Sequence, residues 1–179
     1  MNVDRGIIPG TLLVSSPNIS SEYFKQTVVV ITERQDNGHW GYILNKKTIA
    51  EVRTAIQQHD MDWPWQDFMF EAGPVNRQSM VMLHSPEWNS SNTMQVGEHC
   101  AISSDKFMFE KMTGGDEPIQ RKFLFGQSVW VDGQLEREIK THKSWLTCTA
   151  TYSILWDDSH DQWQKAIELC ARTTMSQYI

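Results

Sequence analysis

Residues 27–33, TVVVITE, are apolar at four consecutive positions. A strand of this kind presents side chains to both faces of its sheet, so both faces have to be covered. Three residues further on, Asp36-Asn37-Gly38 gives a hairpin signal and leads into GYILN (41–45). The two runs are therefore expected to pair antiparallel in the middle of a covered sheet. GTLLVSS (10–16), FMFEAGPV (68–75), SMVMLHS (79–85), QVGEHCAIS (95–103), KFLFGQSVW (122–130) and YSILW (152–156) read as further strands.

Helices are fewer. Thr48-Ile49-Ala50-Glu51 and Ser159-His160-Asp161-Gln162 have capping-box spacing. The first is expected to open a short helix with Ile49, Val52, Ile56 and His59 on one side. The second opens a helix with a stripe of Trp163, Ala166, Ile167 and Cys170. A third runs through Phe107, Met108 and Met112 to Gly114-Gly115. The fourth starts in WVDGQLEREIKTHKSWL (130–146), capped by Asp132 or Gly133, with Leu135, Ile139, His142 and Leu146 as its apolar seam. Hairpins mixed with a few helices predict an α+β fold over residues 1–179, a single domain without internal repeats.

A chain of 179 residues with 40% apolar and 21% charged residues is long and apolar enough to bury a core. Its net charge of −6, with Lys46-Lys47 and Arg121-Lys122 as the basic pairs, argues against a nucleic-acid surface. The first ten residues, MNVDRGIIPG, have no signal-peptide core, and no window reaches the apolar length of a membrane span. Three cysteines without a CxxC fit a reduced, cytoplasmic protein. Among the eight tryptophans, Trp63, Trp65 and Trp88 fall in polar loops and are expected to cover a surface groove.

No catalytic constellation stands out. FGQSVW resembles a nucleophile elbow around Ser128, but that turn requires a small residue where Trp130 stands. Cys148 has no nearby cation to activate it. Glu138 and His142 are four apart on a helix, a spacing that can hold a metal, but His84 and the His99-Cys100 pair lie on separate predicted strands. No phosphate-binding glycine loop is present. Neither catalytic residues nor a metal or other cofactor are expected.

Four segments taken in order resemble the YqgE/AlgH family. They are GTLLVSSPNISSEYFKQTVVVITE, NGHWGYILNK, AGPVNRQSMVMLHS and FGQSVWVDGQLEREIKTHKSWL. Ala72 stands where the family has the first glycine of Gly-Gly-Pro-Val, and Lys46-Lys47 where it often has Arg-Pro. Gln127 and Val129 replace a tyrosine and a glycine before Trp130. The chain reads as a divergent member. The resemblance implies a mixed, largely antiparallel, bifurcated and barrel-like sheet flanked by a few helices. It brings a transcriptional-regulator name but no established reaction, and the sequence offers no helix-turn-helix to match that name. Asn45, Gly73, Pro74, His84, Trp130, Gln134 and Glu138 are expected to converge on one face. There Asn45 and Gln134 tie loops together through their amides as structural glue, or the face is a groove that meets a protein or small-molecule partner.

Overall fold

A computed structural model describes residues 6–178 of the chain; Met1–Arg5, part of the stretch read above for a signal sequence, lies outside them. The central hairpin forms as the sequence predicts. Strand β2 (Val28–Gln35) pairs antiparallel with β3 (Gly38–Ile43), and β1 (Thr11–Ser15) lies on the other side of β2. Val28 and Val30 project into one core cluster, Val29 and Ile31 into another on the opposite face. The apolar run is thus read on both sides, as a central strand requires.

The sheet branches at β9 (Arg121–Val131). The end of this strand, Ser128–Val131, pairs antiparallel with β3. Its first half pairs in parallel with β5 (Phe68–Glu71) on one edge and antiparallel with β6 (Val75–His84) on the other. Strand β4 (Lys47–Glu51) continues outward from β5. On the far side of β6 follow β8 (Cys100–Ser103) and then β7 (Met94–Val96), while β10 (Trp145–Thr149) closes the opposite end against β1. The result is a curled, largely antiparallel half-barrel in an α+β fold. Among the described residues it carries five α-helices: α1 (Val52–Ala55), α2 (Lys106–Thr113), α3 (Gln134–Lys140), α4 (Tyr152–Leu155) and α5 (Gln162–Ser176).

Several local expectations are corrected. Thr48 to Glu51 is strand β4, not the start of a helix. The Thr48 hydroxyl donates to the Met69 carbonyl of the neighbouring strand at 2.7 Å, and Ile49 is 94% exposed. Helix α1 begins only after Glu51, which makes no side-chain cap. Residues 95–103 form a hairpin rather than one strand, turning at Gly97 between β7 and β8. YSILW is helical: Thr151 accepts from the Ile154 N–H at 3.3 Å and caps α4. The strand that closes the sheet is instead WLTCT, through Leu12↔Cys148 and its neighbours in register.

The second capping box is also replaced. Helix α5 follows Asp161 without a side-chain cap, and the buried Gln162 amide donates to the Ile154 carbonyl at 2.8 Å. The seam of α3 is shorter than its spacing suggested. Leu135 is buried and Ile139 packs on the same cluster, but the helix ends at Lys140, His142 is exposed and Leu146 belongs to β10. Trp63 and Trp88, at 3% and 5% exposure, are core residues. With Met82, Met108, Phe109 and Phe123 they fill a third cluster beneath α2.

Candidate functional site

Strand β9 ends in Val131, and the chain turns at once through Gly133, whose left-handed φ of 74° starts α3. The turn is fixed by a side chain: Gln134 Oε1 accepts from the Val131 N–H at 3.2 Å. The Glu136 carboxylate lies 3.9 Å from His39 on β3. One turn into the helix, Glu138 faces the sheet. Its Oε2 accepts the Trp130 indole N–H at 3.1 Å and the Trp145 indole N–H at 2.8 Å, and its Oε1 accepts the Gln134 amide at 2.9 Å. Trp130 comes from the end of β9 and Trp145 from the start of β10, so a single carboxylate holds the helix to two strands.

Both indoles are almost fully buried, at 2% and 4% exposure, and each would be left with an orphaned donor if the carboxylate were removed. Their rings meet edge to face, with centroids 6.0 Å apart. Phe24 packs its ring edge against Trp145 at 5.5 Å and lies tilted beside Trp130 at 6.2 Å. Beside this aromatic corner opens a cavity of about 360 Å³, lined among others by Ile19, Phe24, Pro74, Trp130, Glu138 and Trp145. Gln134, His142, Ser144, Ser20 and Ser21 supply further polar lining. Among the described residues no lysine or arginine lines it, and their one formal charge there is the Glu138 carboxylate, whose three hydrogen-bond donors are all neutral.

The structure brings together Pro74, Trp130, Gln134 and Glu138 of the residues singled out in the sequence. Gly73 lies just behind Pro74, with its backbone pressed on β9. Asn45 is elsewhere: its Oδ1 accepts from the Val28 N–H at 3.0 Å and its Nδ2 donates to the Gln26 carbonyl at 2.8 Å, bracing the loop before β2. The two amides do tie chain segments together, but not across one face. His84 is buried at the end of β6, between the Ser85 carbonyl (2.9 Å) and the Ser103 hydroxyl (2.8 Å) and edge-on to Trp88. Burial there pushes its pKa below the ordinary histidine value.

Phe24, Trp145 and His142 were not among the expected site residues. Phe24 and Trp145 do lie within the four matched segments, and that is the signal that could have found them. The alternative nucleophile is occupied: buried Ser128 donates its hydroxyl to the Ala72 carbonyl at 3.1 Å. Among the described residues no three His, Cys, Asp or Glu side chains gather as metal ligands. The basic pairs are held by local partners, and Lys47, Arg121 and Lys122 line one pocket together with Asp67 and Asp158. Lys46 donates to the Tyr23 carbonyl, and Lys47 faces Asp158 at 3.5 Å. Arg121 forks onto Asp67 at 3.0 and 3.1 Å, and Lys122 is buried. No helix among the described residues is long and apolar enough to cross a membrane.

Comparison with known proteins covers nearly the whole chain. A family model described as AlgH-like matches residues 12–174. A UPF0301 protein of Rhizobium leguminosarum bv. trifolii is 27% identical over 179 residues, spanning 92% of this chain and 87% of its own length. A UPF0301 protein of Proteus mirabilis is 29% identical over 166 residues, spanning 88% of each. The solution structure of the AlgH protein from Pseudomonas aeruginosa superimposes with a TM-score of 0.76 at 23% identity, over 96% of this chain and 92% of that one. A crystal structure from Corynebacterium diphtheriae gives 0.74 at 22%, over 94% and 89%. At these identities the two structures speak for the fold alone.

Proposed function

Starting from a chain that belongs to the AlgH-like family, we propose that it is a non-catalytic binding module whose α3 cavity receives a lysine or arginine side chain of a partner protein. The observation that carries this reading is the Glu138 carboxylate. Its three donors are neutral, so no hydrogen bond among the described residues compensates its charge at the edge of an aromatic-walled cavity. A cation on an apolar stem suits both halves of such a site. The ammonium or guanidinium approaches the carboxylate and the ring faces, and the methylenes lie on Ile19, Phe24 and Pro74. The chain's net charge of −6 favours approach of a basic partner. The engaged Ser128 hydroxyl supports a role without nucleophilic chemistry, and the local partners of Lys46, Lys47 and Arg121, with Lys122 buried, favour a protein partner over nucleic acid.

The test uses the two indole N–H groups as reporters. In a ¹⁵N spectrum, n-butylguanidinium or n-butylammonium should shift the Trp130 and Trp145 indole resonances, while the neutral n-pentanol should not. Glu138→Gln keeps a neutral acceptor and should abolish the cation's effect. Equal responses to charged and neutral probes, or shifts confined to other tryptophans, would overturn the reading.

A further inference from the structure

Two of the three cysteines meet in the core on the opposite face of the sheet. Cys148 on β10 and Cys170 on α5 are 22 residues apart in sequence, both thiols are free, and their sulfurs stand 2.8 Å apart. A disulfide spans about 2.05 Å, so an approach of under an ångström separates this pair from a bond. We propose that Cys148 and Cys170 are an oxidation site, at which a hydroperoxide converts the two thiols into an intramolecular disulfide fastening α5 to β10.

The two sulfurs are not equivalent. Cys148 is 7% exposed and Cys170 fully buried, and the Cys170 S–H donates to the Cys148 sulfur. That donation holds the Cys148 pKa below the usual thiol range and pushes the Cys170 pKa up. Cys148 is therefore the attacking sulfur. Its thiolate attacks the terminal peroxide oxygen, the O–O bond breaks, and the alcohol (water, from hydrogen peroxide) leaves with the thiol proton. Cys148 is then a sulfenic acid. The Cys170 sulfur displaces its hydroxyl, the S–S bond forms as the S–O bond breaks, and the Cys170 proton leaves with the hydroxyl as water. Two thiols have lost two electrons, and the peroxide has been reduced to alcohol and water.

The third cysteine serves as an internal control. Cys100 is fully buried on β8 and donates to the Val96 carbonyl, and burial pushes its pKa up to about 12. The bond would act where α5 rests on the sheet through Ala166, Ile167 and Cys170. Closing a loop of this length restricts the unfolded chain.

The experiment treats the folded, reduced wild-type protein with hydrogen peroxide. It is then denatured, its remaining thiols are alkylated, and they are counted by mass. Alkylatable thiols should fall from three to one, with a peptide linking Cys148 to Cys170, and dithiothreitol should restore three. The melting temperature should rise by about 5–10 °C on oxidation. In Cys170→Ser, dimedone should trap a sulfenic acid at Cys148. The count on the wild type depends on no variant folding. Three alkylatable thiols remaining after a treatment that oxidises free cysteine would overturn the proposal, as would a link through Cys100 or between molecules.

Discussion

Gly73 and Gly126 lie backbone to backbone where the sheet branches: a Cβ on Gly126 would fall 2.3 Å from the Gly73 carbonyl oxygen. A Cβ on Gly73 would in turn fall 2.0 Å from the Gln127 carbonyl carbon. The same crossing is tied by Ala72, which donates to the Phe125 carbonyl at 2.8 Å and accepts from the Ile43 N–H at 2.9 Å. Since the obstructing atoms are main chain, no side chain can swing away to make room.

Gly126→Ala and Gly73→Ala should therefore each cost about 3–5 kcal/mol, the range reserved for named structural clashes. Gly126 adds a left-handed φ of 71°. Gly133→Ala is the matched control. It shares the left-handed backbone, with nothing within 4 Å of the added carbon, and should cost only about 1–2 kcal/mol. Urea unfolding of the three variants checks the ordering; similar costs for Gly126 and Gly133 would refute the branch-point account.

Glu138→Ala should destabilise the fold by about 2–4 kcal/mol, because it strands two buried indole donors at once. As an isolated helical glutamate it would be expected to tolerate alanine, within about 0.5 kcal/mol. Gln134→Ala should cost less, about 1 kcal/mol, since Gln134 is only half-buried and its partners reach solvent more easily. Chemical denaturation distinguishes the cases, and a Glu138→Ala midpoint equal to wild type would show that the carboxylate does not hold α3 to the two strands.

Leu135→Ala should cost about 2–5 kcal/mol through the cavity it leaves beneath α3. Ile49→Ala, a similar truncation on the exposed face of β4, should stay within about 0.5 kcal/mol. A large Ile49 effect would restore the amphipathic helix that the capping-box spacing suggested.

Lys122 predicts a specific alkaline behaviour. Burial pushes its pKa down to about 8, and its ammonium donates to the Leu44 and Asp157 carbonyls at 3.1 and 3.3 Å. In the unfolded chain the amine titrates near 10.4. Between those values the unfolded state holds the extra proton, so this group makes stability rise with pH, by about 3 kcal/mol in all. Below pH 8 its penalty is fully present. Cys100, pushed up to about 12, acts in the opposite direction: its contribution is lost as pH climbs from about 9 to 12. The readout is accordingly the difference between wild type and Lys122→Met. The variant should lack the rise between pH 8 and 10.4, and parallel curves would contradict the buried-amine account.

What the sequence disclosed depended on the range of the interaction. β2 was legible because its partners on both faces demand the same thing of four adjacent residues. YSILW was not, since Tyr152, Ile154 and Trp156 alternate like a strand while the deciding contact is the cap from Thr151 just outside the run. Thr48 to Glu51 failed for the reverse reason. Its local pattern fits a helix start, and pairing with Phe68 and Phe70, about twenty residues away, overrides it. At the site, Trp130, Gln134 and Pro74 stood in matched segments. The chemistry of Glu138 was hidden because its two indole donors lie eight residues before it and seven after, on different strands. Spacing on α3 alone shows only a helical charge.

Because β9 serves both branches of the sheet, the order of synthesis matters to this chain. The edge of β3 that takes Ser128–Val131 and the edge of β5 that takes Phe123–Phe125 stay open until residues 121–131 have emerged, and β1 waits longer still for residues 145–149. Closure is therefore non-local and late, the condition under which folding is slow and open strand edges invite pairing with other chains. A nascent chain halted before residue 121 holds its central hairpin with no partner on one side, and the sheet is complete only once residues 145–149 have followed.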